Sequence, residues 1–184
     1  MVRPGRSEYL VLRRTIAQRG SLRPILTLVG LCIWAALLTV VLVSLPYPVA
    51  AIVPLMVLVV TFEVIRPLHF GAERIGRYIQ VFYEEDGQRN RPLDDTPAWE
   101  RVAMSFGAVP GVGGHPLFVP LFLIATIVNL LAVALPAPST VEWVLLIPHG
   151  AFAVWLLASD RSMRRQRELE LTHLRSLRDR PLKP

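Results

Sequence analysis

The sequence predicts an all-α integral membrane protein, with four transmembrane helices arranged as two hairpins and amphipathic cytoplasmic helices beside them. Three observations carry this. The first is charge: Pro24 to Phe62 holds no charged side chain over 39 positions, and neither Pro116 to Val141 nor Trp143 to Ser159 holds any. A helix needs about 20 apolar residues to cross a hydrocarbon layer of about 30 Å, so the first run supplies two spans and the other two supply one each. The second is punctuation, because Leu45-Pro46-Tyr47-Pro48 and Leu135-Pro136-Ala137-Pro138 place proline pairs where a helix cannot continue. The third is the position of the basic residues. All 20 Lys and Arg fall in the N-terminal arm, in the central segment with Arg66 at its edge, or in the C-terminal tail, and none falls in a proline turn. Basic loops stay on the cytoplasmic side. Both ends and the central loop are therefore expected in the cytoplasm, with the two proline turns outside, in a multi-pass protein of the cell (inner) membrane.

Residues 1–23 form a basic arm in which Arg3, Arg6, Arg13, Arg14, Arg19 and Arg23 face one acid, Glu8. Ser7 can cap a short helix whose Tyr9, Leu10, Leu12 and Ile16 alternate with arginines. Two readings are open: a helix lying among anionic headgroups, or a partly ordered arm. Residues 24–159 make up the membrane domain, with spans at 24–45, 49–65, 117–135 and 141–159. The first apolar run begins only at Pro24 and lasts 22 residues to Leu45. A secretory signal has an apolar stretch of about 7–15 residues nearer the start, so a retained helix is expected. The second span ends at Arg66-Pro67 and carries Pro54 inside it, which membrane helices tolerate with a kink.

The central segment, 67–115, is the one sizeable polar stretch between spans. Ala72, Ile75, Ile79 and Phe82 recur at helical spacing, with Glu73, Arg74, Arg77 and Gln80 on the other side, so an amphipathic helix is expected. Thr96-Pro97 reads as the cap and first position of a second short helix with a Trp99, Val102, Ala103 and Phe106 stripe. Gly107 to His115 then leads back into the membrane. Pro120 stands near the start of the third span. Beyond the fourth span, the arginine-rich tail 160–184 continues as a helix with a narrow leucine face, ended by Pro181.

The two proline turns match at an offset of 90 residues, and Leu31, Ala35 and Val43 match Leu121, Ala125 and Val133. A duplicated hairpin would account for this. Chance alignment of apolar sequences, drawn from few residue types, would account for it too.

Composition narrows the function classes. The net charge of +6 and an isoelectric point near 10.4 come from residues flanking apolar spans, and no nucleic-acid recognition module is present. The expected partners are a bilayer with anionic headgroups and other membrane proteins or a second copy of the chain. The single cysteine, Cys32, can form no intrachain disulfide and is expected to pack as a small apolar residue.

Candidate chemistry rests on polar groups inside the spans, where hydrocarbon makes them costly. Glu63 stands one turn from Arg66, so it either pairs with that arginine at the interface or acts as a proton or cation ligand. Asn129 lies nine residues before Pro138 and His149 eleven after it, which brings them to similar depth in a hairpin. A hydrogen bond between them is expected, as a packing device or as a relay. Pro148 would free a backbone carbonyl for His149 to bond. Haem is not expected, because a bis-histidine site needs two histidines at matching depth and His149 is the one well inside a span. His69 and Glu73 share a helix face and, if a loop brings His115 to them, could hold a metal ion. The Gly107, Gly111, Gly113 and Gly114 cluster lacks the Lys-Ser/Thr of a phosphate loop and reads as a linker. No nucleophile-elbow, zinc-protease or paired-acid pattern occurs, so no catalytic residue and no cofactor is expected. The sequence points to a non-catalytic membrane scaffold or accessory subunit. The alternatives are a small oligomeric transporter or channel using Glu63 or Asn129 and His149, and a membrane enzyme acting at the cytoplasmic boundary.

Overall fold

In the computed structural model the described residues are 6–44, 48–84, 117–134 and 140–179. They are helical almost throughout, with no strand among them. Helix α1 spans Arg6–Ser44. A 3-10 turn, Pro48–Ala51, opens directly into α2, Ile52–Ile79, which passes into a π-helical turn, Gln80–Glu84. Helix α3 covers Val119–Ala134 and α4 covers Thr140–Asp179. Three of the four, α1, α2 and α4, are long and apolar enough to cross a membrane. Helix α3 is apolar but has 16 residues, a length of about 24 Å.

Two expected boundaries are absent. The arm does not form its own short helix, because α1 runs through Pro24 without interruption. Proline's ring collides with the carbonyl four residues earlier. Here that residue is Gly20, whose Cβ position faces open space. Likewise α2 continues through Pro67 for another three turns, so no helix end stands at Arg66-Pro67. Pro54 and Pro120 instead fall in the first turns of α2 and α3, where the missing N–H matters least. The expected continuation of the fourth span into the tail is present as one helix to Asp179. The two proline turns, the helix expected at Thr96-Pro97, the glycine linker and His115 lie outside the described residues.

The chain divides into two compact units. An apolar unit contains 22–67 and 115–162, and a charged unit contains 1–21, 68–114 and 163–184. In the apolar unit Phe62 of α2 is fully buried and meets Phe122 of α3 and Phe152 of α4 edge-on, with centroids 5.5 and 6.2 Å apart. Leu58, Ile65 and Leu156 extend this core. Gly30 of α1 sits where an added Cβ would strike the Thr61 side chain, so glycine sets how closely α1 and α2 approach. The outer faces are lined by large apolar side chains such as Ile33, Val43, Ile124, Ile147 and Val154, all exposed. Water would make so broad an apolar surface unfavourable, whereas lipid would not.

The charged unit is built differently. Tyr9 of α1 packs against Tyr83 at 5.4 Å, and Tyr78 packs against Phe82 at 4.7 Å. The Tyr78 hydroxyl donates to Glu8 at 3.3 Å. Arg178 near the end of α4 donates to the Val81 carbonyl at 3.4 Å. The arm is thus packed on the second half of α2. Arg77 and Gln80, expected on the polar face of an amphipathic helix, are both buried.

Candidate functional site

Asn129 of α3 is completely buried and makes three hydrogen bonds to three other segments. Its Oδ1 accepts from Trp34 Nε1 of α1 at 3.1 Å. Its Nδ2 donates to the Ala51 carbonyl at 3.0 Å and faces His149 Nε2 of α4 at 2.9 Å. His149 Nδ1 lies 2.7 Å from the Leu145 carbonyl. A carbonyl only accepts, so the ring proton belongs on Nδ1, and Nε2 presents its lone pair to Asn129. One proton assignment therefore satisfies the whole set, with the amide oxygen toward Trp34 and its two hydrogens toward Ala51 and His149.

A proline inside an α-helix offers no N–H to the carbonyl four residues before it. Pro148 therefore deprives Val144 and Pro54 deprives Ala50, so the carbonyl that His149 bonds, Leu145, is not the one expected to be freed by Pro148. Asn129 serves Ala51, and His149 serves Leu145. The contact expected between Asn129 and His149 is present, with Trp34 and Ala51 added to it. Trp34 gave no sign in the sequence beyond being an indole N–H within an uncharged span, which needs a partner when buried.

Glu63 also has both oxygens engaged. Oε2 accepts from Arg66 Nη2 at 2.9 Å, the pairing expected one turn apart, and Oε1 accepts from Trp155 Nε1 of α4 at 2.6 Å. The Arg66 guanidinium lies over the Trp155 ring, 5.0 Å from its centroid.

The charged unit holds a chain of alternating charges that sequence reading missed. Arg77 is 1% exposed and donates to Glu73 of its own helix at 2.9 Å and to Glu170 of α4 at 2.7 and 3.0 Å. Arg74 reaches the other oxygen of Glu170 at 3.1 Å, and His69 Nε2 lies 3.3 Å from Glu73. Burial pushes the Glu73 carboxyl up, but hydrogen bonds and charge from His69 and Arg77 outweigh it and hold it at about 2. Glu170 is lowered too, its burial outweighed by Arg74 and Arg77. Tyr78 and Tyr83 are raised, by burial first and then by Glu8. The available signal was an acid, Glu170, recurring within an otherwise arginine-rich tail.

These arrangements bear on chemistry in a uniform way. His69 and Glu73 do meet, but the described residues contain no group of three potential metal ligands. A groove of about 300 Å³ between α1 and α3 is apolar, lined by Leu31, Cys32, Ala35, Leu121, Ile124 and Val128 among others. No polar group converges on it as a substrate pocket would require. Cys32 is exposed along this groove, where close packing was expected. No family model matches this chain, and neither a curated protein nor a solved structure does.

Proposed function

We propose that this chain is a four-span protein of the cell (inner) membrane, with both ends and the central segment cytoplasmic, acting as a non-catalytic scaffold or accessory subunit of a membrane protein complex. The observation carrying this reading is the complete use of the Asn129–His149 set in bonds between helices. A relay needs a group able to gain and lose a proton without leaving donors facing donors. A proton added to His149 Nε2 would confront the hydrogens of Asn129 Nδ2, which are committed to Ala51 and to the ring itself. The geometry suits a lock that fixes how the helices pack.

Helix length supports the membrane part. Helices α1 and α4 have 39 and 40 residues, about 60 Å each, roughly twice the hydrocarbon thickness. Each therefore has an apolar portion to cross and an arginine-bearing portion to stand outside. The transporter reading lacks a comparable observation, because each carboxylate oxygen of Glu63 already holds a partner. The boundary-enzyme reading is no better supported, since Glu73 is engaged by His69 and Arg77.

Gentle-detergent purification from native membranes, followed by mass spectrometry, tests the proposal. A scaffold should bring down a reproducible set of membrane proteins, and the purified chain in vesicles should pass no ions under an imposed gradient. A flux carried by the chain alone and abolished by His149→Leu or Glu63→Gln would overturn the reading. Reporter fusions at Tyr47, Ala137 and the C-terminus check the orientation, with the two turns expected outside.

A further inference from the structure

We propose that Arg66, stacked on Trp155 and held by Glu63, binds the phosphate of a membrane glycerophospholipid through its Nη1 edge. Glu63 is the first charged residue after the uncharged run from Pro24 to Phe62, and Trp155 stands five residues before Asp160, where the uncharged run of α4 ends. The group thus occupies the level at which apolar sequence gives way to charge on two different helices. Tryptophan and arginine gather at that level in membranes, where lipid phosphates also lie.

The guanidinium is presented in one orientation. Trp155 supports one face at 5.0 Å, and Glu63 takes Nη2 at 2.9 Å. Trp155 is itself fixed by its 2.6 Å bond to the second Glu63 oxygen, so ring, carboxylate and guanidinium hold one another. Arg66 Nε is buried, and neither it nor Nη1 has a partner among the described residues. The side chain is nevertheless 31% exposed, which leaves Nη1 as the edge an outside acceptor can reach. A planar guanidinium held on one face and one edge has little freedom left to lose, and phosphate oxygens are the acceptors that arginine matches best. The pair with Glu63 carries no net charge, so the site does not depend on a net anionic lipid and takes the phosphodiester common to all glycerophospholipids.

This inference rests on the membrane-spanning reading above, and the test separates the two. The chain, labelled with 15N in its arginine guanidinium groups, is reconstituted in phosphate-free buffer into vesicles of phosphatidylcholine and, separately, of phosphatidylglycerol. Dephasing of 15N by 31P is then measured by solid-state NMR, with the spectrum of Arg66→Lys subtracted to isolate Arg66. The double variant Glu63→Gln/Arg66→Gln provides a second subtraction should the lysine variant misfold. The expected result is a dephased Arg66 signal in both lipids. An Arg66 signal without dephasing in either lipid, from protein that floats with the vesicles, would overturn the inference alone. Dephasing only in phosphatidylglycerol would overturn the claim that any phosphodiester suffices. Dephasing in detergent with inorganic phosphate but not in vesicles would overturn the lipid as ligand. Protein that fails to float with vesicles would overturn the membrane reading itself.

Discussion

The apolar and charged units share α1, α2 and α4 but enclose polar groups by opposite means. In the apolar unit the buried lock is neutral: an amide, an imidazole, an indole and two carbonyls, each donor matched to an acceptor. In the charged unit the buried group is Arg77, tied to two carboxylates that each keep about a quarter of their exposure. Desolvation explains the division. An ion taken into a low-dielectric interior loses several kcal/mol that a pair repays only with good geometry, whereas a neutral group needs only its hydrogen bonds. Partial access to water lets Glu73 and Glu170 stay charged while Arg77 is enclosed. An enclosed ion, Arg77, therefore marks the unit suited to an aqueous or interfacial setting, whereas the apolar unit encloses only neutral polar groups and keeps its Glu63–Arg66 pair partly exposed.

The largest expected effect breaks the charged side of this contrast. Arg77→Met should cost about 3 kcal/mol, the low end for stripping one partner from a buried ion pair, because both carboxylates retain some exposure. Urea unfolding of the charged unit, followed by the emission of Tyr78 and Tyr83, measures it. Acidification should do the same reversibly. Glu73 ordinarily titrates at 4.5 and here is held at about 2, so its contribution is present above about 4.5 and is lost as pH falls toward about 2. Glu170 adds to this in the same sense. Amide exchange in the charged unit should accelerate through that window.

Breaking the neutral lock comes next. Asn129→Leu removes three hydrogen bonds and leaves Trp34 Nε1, the Ala51 carbonyl and His149 Nε2 unmatched. A loss of roughly 2 kcal/mol is expected, since membrane hydrogen bonds average near 0.6 kcal/mol and stranded groups add to that. Steric-trap unfolding in bicelles would read it. A similar loss, about 1–2 kcal/mol, is expected for Gly30→Ala by the same measurement. The new methyl would meet Thr61, whose rotamer is committed to a 2.7 Å bond with the Val57 carbonyl. Gly71→Ala is the sharper half of that pair. Its methyl would meet only the far end of the flexible Arg19 side chain, so its cost should be several-fold smaller. The smallest effect belongs to Arg74→Ala. Arg74 is 71% exposed, so its bond to Glu170 should be worth no more than about 0.5 kcal/mol and should fade with added salt.

Uncharged length, proline position and the placement of arginine make the helical, membrane-compatible character legible in the amino-acid sequence. The Asn129–His149 contact is legible too, because a hairpin turn sets depth on both of its arms. Local rules fail at Pro24 and Pro67. There a proline suggests an end, yet it removes a single helical hydrogen bond and each helix runs on through it. The face of Arg77 is misread for a related reason. Helical periodicity assigns a charged residue to solvent, and it cannot see that Glu170, 93 residues later, comes to meet it. Trp34 and Trp155 escape notice likewise, as their partners lie on other helices.

The most direct test of the central claim, that Asn129 and His149 form a neutral packing lock, is the 15N spectrum of the His149 ring in lipid at neutral pH. One species is expected, with its proton on Nδ1 and an unprotonated Nε2 coupled through a hydrogen bond to the Asn129 amide. A proton on Nε2, or on both nitrogens, would contradict it and return the pair to consideration as a relay.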